Sequence, residues 1–178
     1  MLLDLVFDAA LRMVAALVGG RVEKAFREPP VAPPDPRRLH AARGAYQRWA
    51  ERRGLRRDDG ERGFRGMLGR HSVVVRPGLD GSAPIGVEVE IAIAHGASRQ
   101  VLLTPSNRGE GPLESALATC FDDHELESAL RSIAVTSSGL RLRFAALSLP
   151  AVVELGVTRA IEAIAESATK SMGAGPYR

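Results

Sequence analysis

Between residues 85 and 93 an apolar side chain stands at every second position: Ile85, Val87, Val89, Ile91 and Ile93 share one parity, and Glu88 and Glu90 fall on the other. Successive side chains leave a pleated strand on opposite faces, so this period reads as a strand with one apolar and one charged side. It is the clearest such signal in the chain and commits the fold to a sheet. A strand over 66–76 ends in Val73-Val74-Val75 and is stopped by Pro77, and a third covers 99–104 ahead of Pro105. Their short connections predict an antiparallel meander. A second hairpin is expected over 133–136 and 140–147, turning at Ser137-Ser138-Gly139. In it Leu140, Leu142 and Phe144 face inward, and Arg141 and Arg143 face water.

Helical spacing fills the rest. Leu39, Ala42, Tyr46 and Trp49 step by three and four residues on one stripe, with Gly54 placed to close that helix and Leu55 to cover its end. Tyr46 and Trp49 therefore read as core rather than as base-stacking platforms. Residues 55–66 read as an Arg-, Asp- and Gly-rich loop. Pro112 opens a short helix to about Cys120, and Asp122 begins another ending near Ser132. Ser148 as N-cap and Pro150 in the first turn start the last helix, whose inner stripe is Val153, Val157, Ile161, Ile164 and Ala168.

The expected class is α+β: an antiparallel sheet of about five strands, a β-meander plus a β-hairpin, packed with helices in the order α-βββ-αα-ββ-α over residues 37–170. In element order this resembles small bacterial secretion-chaperone domains. That resemblance implies a domain that dimerises and holds an unfolded segment of a partner, a chaperone- or adaptor-like role.

Composition narrows the class. With 178 residues and 45% hydrophobic content the chain can bury a core, and at 4% aromatic that core must be aliphatic. The single cysteine, Cys120, can form no internal disulfide and follows Leu113, Ala116 and Leu117 at helical spacing, so it reads as a small buried hydrophobe. Nothing points to an oxidising compartment, and the expected location is cytoplasmic.

The first eighteen residues, MLLDLVFDAALRMVAALV, are apolar around most of a helix, with Asp4, Asp8 and Arg12 in one narrow polar stripe. The segment lacks the basic start of a secretory signal. A free-standing span needs about 20 apolar residues and pays roughly 2.5–3.5 kcal/mol for each internal Asp or Arg. Residues 1–28 are therefore expected to dock through Leu3, Val6, Phe7, Met13 and Leu17 on a protein partner or a second copy, with a membrane surface as the alternative. Residues 29–36, PPVAPPDP, read as a semi-rigid spacer, and 171–178 as a disordered tail.

No reactive constellation stands out. Asp122-Asp123-His124-Glu125 looks enzyme-like, but Asp followed three residues later by Glu is a capping box, and Leu126, Ala129, Leu130 and Ile133 supply the helix behind it. If Val73 pairs with Val89, His71 lies opposite Ile91, four residues and about 13 Å from His95, too far to share a metal. G-x-S-x-G, Gly-Lys-Ser/Thr, H-x-x-H and C-x-x-C are all missing from the sequence, so no cofactor or metal is expected. The remaining candidate is charge. Residues 37–70 hold eleven arginines against Glu51, Asp58, Asp59 and Glu61. Arg52, Arg53, Arg56, Arg57, Arg62 and Arg65, with Arg108 in the later glycine-bearing loop, form a candidate anion or nucleic-acid surface. The leading expectation is a non-enzymatic protein-interaction or assembly module. Nucleic-acid or anion binding is the alternative, and an enzyme of unrecognised type follows it.

Overall fold

The computed structural model describes residues 35–58, 62–79, 86–93 and 100–173, all within one unit, Pro34–Arg178. The proposed docking helix, the spacer up to residue 34, His95 and the last five residues lie outside the described residues.

The fold is α+β. Helix α1 (Pro36–Arg52) starts where Asp35 accepts a hydrogen bond from the Arg37 amide at 2.9 Å, with Pro36 at the first helical position. The last two residues of the proline-rich stretch are thus a helix cap and not spacer, because proline's missing N–H costs nothing in a first turn. At the other end Gly54, at φ 65°, lets the Leu55 amide reach back to Ala50 at 2.9 Å, and the buried Leu55 closes the turn as expected.

The sheet has seven strands: β1 (Arg56–Asp58), β2 (Gly63–Leu68), β3 (His71–Arg76), β4 (Val87–Ala92), β5 (Val101–Leu103), β6 (Leu130–Thr136) and β7 (Gly139–Phe144). They lie in the order β1-β2-β3-β4-β7-β6-β5, and every pairing is antiparallel. Five strands were expected. The extra two come from the arginine-rich stretch, where β1 and the start of β2 occupy what reads as loop, and the strand expected over 66–76 is a hairpin turning at Gly69, φ 61°. Charged side chains on an edge strand and a left-handed glycine carry little period-two signal, so composition hid both. Val73 pairs with Ile91 rather than Val89, a slip of two residues that preserves which side chains point inward.

Helix α2 (Pro112–Ala118) runs into a 3-10 turn at Thr119–Asp122, and α3 (Pro150–Gly173) closes the fold. The helix expected from Asp122 to Ser132 does not form. Asp123 accepts a hydrogen bond from the Glu125 amide at 3.0 Å, the chain makes turns through Ala129, and Leu130 pairs with Phe144 at the start of β6. Strand pairing over a buried edge outweighs the helical spacing read there. Ser148 does not cap α3; its hydroxyl donates to the Ala145 carbonyl at 2.8 Å, and the Leu149 carbonyl accepts the first helical bonds instead. Ser167, not Ala168, continues the inner stripe.

One face of the sheet carries the core. Val73, Val75, Val87, Val89, Ile91, Leu140, Leu142 and Phe144 are buried together with Tyr46 and Trp49 of α1 and Val153, Val157 and Ala160 of α3. Two long-range hydrogen bonds tie the helices: the Tyr46 hydroxyl donates to the Ser148 carbonyl at 2.7 Å, and Trp49 Nε1 donates to Glu154 at 2.8 Å. The other face is polar. There Glu88 and Glu90 of β4 lie between Arg76 of β3 and Arg141 and Arg143 of β7 in an ion-pair lattice.

Candidate functional site

The sheet is wider than its helical cover. Inward parity on β3, β4 and β7 is sealed, but on β2 Phe64 is half-buried, and Arg57, its partner on β1, is exposed. Between this overhanging hairpin and α1 lies a cleft of about 610 Å³, within the range of about 300–1,000 Å³ typical of ligand sites.

Its floor is apolar: Leu55, Phe64, Pro77 and Leu79, with Tyr46 and Ala50 from α1. Glycine shapes one wall. Leu55 packs over Gly66, where an added Cβ would come within 2.7 Å of Leu55 Cδ2, and at Gly63 one would meet the Val75 carbonyl at 2.5 Å. The hairpin therefore sits flush against the turn that follows α1. Burial of Tyr46 with its hydroxyl on Ser148 pushes its phenol well above the ordinary value, so it is a neutral wall and no proton donor near neutrality.

The rim is charged. Arg43, Arg57 and Arg62 line it with Gln47 and, among the described residues, one carboxylate, Glu51, which accepts a hydrogen bond from Gln47 at 3.1 Å. Arg43 donates through Nε at 3.1 Å, and also through Nη2, to the Leu79 carbonyl, which fixes its guanidinium at the mouth. Arg62 holds φ 52°, a left-handed conformation that costs a non-glycine residue about 1–3 kcal/mol and clusters at ligand sites.

The arginines read as one surface are dispersed. Arg53 pairs with Glu154 at 2.5 Å, and Arg52 lies in the last turn of α1. Arg56 and Arg65 sit opposite each other on the outer parity, with Arg65 3.1 Å from Asp58. Only Arg57 and Arg62 reach the cleft. Arg108 lies at the far end of the fold, where it donates to both carboxylate oxygens of Asp122 at 2.8 Å and to the Ala118 carbonyl at 2.9 Å, and stacks over Phe121. Hydrogen bonding to Arg108 holds the Asp122 carboxyl below its usual range. Sequence reasoning missed Arg43. Its signal was spacing, because residues 43, 47 and 50 run beside the Tyr46 stripe on the helix flank that the hairpin leaves open.

Other chemistry is scarce. Cys120 is buried, and burial foremost, aided by the Asp123 charge, pushes its thiol up to about 11. Among the described residues no group of three or more His, Cys, Asp or Glu side chains could hold a metal, and no helix is long and apolar enough to cross a membrane. Leu3, Val6, Phe7, Met13 and Leu17 lie outside the described residues. No protein-family model, curated protein or solved structure matches the chain.

Proposed function

We propose that this domain is a non-catalytic protein-interaction module that receives an acidic, partly apolar segment of a partner in the cleft between α1 and the β1–β2 hairpin. The observation that carries the reading is the mismatch of layer widths, which leaves a cleft whose described residues are an apolar floor under a rim of three arginines and one glutamate. An apolar floor under a rim that is mainly cationic favours a ligand that is greasy on one side and anionic at its margins. The described lining residues include no nucleophile beside a base, which favours binding over turnover in this reading. Nucleic acid fits less well. A phosphate track needs its cations on one surface, and here Arg56 and Arg65 occupy the face opposite to Arg57 and Phe64.

Both strand edges argue against capture of the partner as an added strand. Edge strand β1 is only three residues long and charged. At the other edge Asn107 Nδ2 donates to the Leu102 carbonyl at 3.0 Å, blocking the outer rim of β5. The test is an amide-shift titration of the full chain with acidic-apolar, neutral and basic peptides. Acidic peptides should move the Leu55, Phe64 and Gln47 signals, and Arg57→Glu with Arg62→Glu should abolish the response. Shifts confined to the outer sheet face, or the same response to basic peptides, would refute the reading.

A further inference from the structure

Independently of the cleft, we infer that two copies of this chain pack through the polar faces of their sheets, about a two-fold axis that runs along the strands between β4 and β7. The inference starts from the strand register. Arg65, Val74, Glu90, Arg141, Ala134 and Leu102 form one row across six neighbouring strands on the outer parity. A second row runs Arg76, Glu88, Arg143 and Ser132, and a third Ser72, Ala92, Gly139 and Thr136. All three rows are ordered around the gap between β4 and β7. In two of them a glutamate on β4 stands beside an arginine on β7, and in the third small residues flank the gap.

An axis in that gap sets β4 of one copy over β7 of the other. Glu90 then lies over Arg141, Glu88 over Arg143, Val74 over Ala134 and Ser72 over Thr136. Strand β2 lies over β5, which brings together the strands that carry Met67 and Leu102, large apolar side chains 52% and 55% exposed. Other axes lose this match. Centred on β4, or run across the strands, the axis would set glutamate on glutamate; centred on β7, arginine on arginine; between β3 and β4, Arg65 on Arg141. Like charges brought face to face are costly, and opposite ones select register.

The charges keep their lateral partners. Arg141 and Arg143 hold Glu90 and Glu88 with 48% and 65% of their side chains still exposed. A guanidinium has five donors and a carboxylate about four acceptor sites, so each group serves a neighbour beside it and another above it. Six strands about 4.8 Å apart and six residues of about 3.4 Å give a patch of roughly 29 by 20 Å, about 1,200 Å² over both copies. That is the lower end of specific interfaces, so the dimer should be a weak one, with Kd of about micromolar order. The cleft lies on the opposite face of the sheet and stays open in both copies.

The experiment is sedimentation velocity of the full chain from about 1 to 500 μM. The chain should pass from monomer to dimer over that range. Leu102→Glu, a surface change that leaves folding nearly untouched, should raise Kd at least about tenfold, as should Glu90→Arg and Arg141→Glu singly. Mixing the last two in equal amounts should restore the dimer. Position 90 of one chain then faces position 141 of the other with opposite charge on both sides of the axis, and unfolded chains would show no such rescue. Thermal melts identify the folded variants, and Leu102→Glu carries the test alone should a charge variant melt early. A chain that stays monomeric throughout, a dimer indifferent to Leu102→Glu, or two folded charge variants that fail to rescue each other would overturn the pairing. The peptide response at the cleft stands or falls by its own titration.

Discussion

The two ends of the sheet each carry arginines, and they treat them in opposite ways. At the β5 end the helical layer reaches the last strand: Leu103, Leu117 and Leu126 are fully buried, and Arg108 is spent on Asp122, Ala118 and Phe121. At the β1 end α1 stops at Arg52, the sheet continues for two more strands, and Arg57 and Arg62 border an open cleft. The same residue type is a clamp in one place and a rim in the other. Local sequence does not decide which. The width of the helical cover relative to the sheet does, because it sets whether a cation lies among packed elements or beside a cleft.

The most forceful way to break this contrast is to truncate one apolar side chain at each end. Leu126→Ala at the sealed end should cost about 2–5 kcal/mol, as a fully buried leucine does. Phe64→Ala at the cleft should cost less, since part of the ring is exposed from the start. Urea denaturation of both variants measures the difference. Equal costs would make the hairpin end ordinary core and remove the site.

Two glycines sharpen it further. Gly156 in α3 lies against Phe144, where an added Cβ would fall 2.7 Å from the ring, so Gly156→Ala should destabilise by about 1–3 kcal/mol despite better helix propensity. Gly44 in α1 meets only the flexible end of Arg48 at 3.2 Å, so Gly44→Ala should stabilise by about 0.5–1 kcal/mol. The same exchange has opposite signs in two helices of one domain, and thermal denaturation reads both.

The fold class was legible because it rests on periods. Val87, Val89 and Ile91, and Leu140, Leu142 and Phe144, are buried where alternation put them, and Tyr46 and Trp49 are core where helical spacing put them. What failed were features set by partners distant in sequence. The Asp122–Glu125 string has good helical spacing, yet Leu130 is drawn into β6 by Phe144 fourteen positions later. The cleft was only half legible. Arg57 and Arg62 were among the cations singled out, but Arg56 and Arg65 differ from them in face and not in composition, and only the β1–β2 register separates the two pairs. Arg43 joins them through a contact with Leu79, thirty-six positions away.

A smaller effect tests the seal chemically. With its thiol buried and pushed up to about 11, Cys120 should resist iodoacetamide at pH 8 in the native chain and react once urea unfolds it. Rapid native labelling would show that the β5 end opens as readily as the cleft.

The smallest effect concerns acid. Asp122 is held below the usual carboxylate range first by its hydrogen bond to Arg108, and Asp123 first by the Glu125 amide and then by Arg159. A depressed folded-state value means that the unfolded chain takes up the proton first as pH falls. Each group therefore contributes stability that is complete above the unfolded value, about pH 4, and is lost as pH drops through the folded one. Arg108→Ala removes the main cause at Asp122 and leaves those at Asp123 in place. The variant should be less stable at neutral pH, and its melting temperature should fall less steeply than the wild type's below about pH 4. The Asp122 carboxylate is exposed, so the change in slope will be slight and should shrink with added salt. An acid limb that superimposes on the wild type's would mean that Arg108 is not committed to Asp122, and the two ends of the sheet would then differ in shape alone.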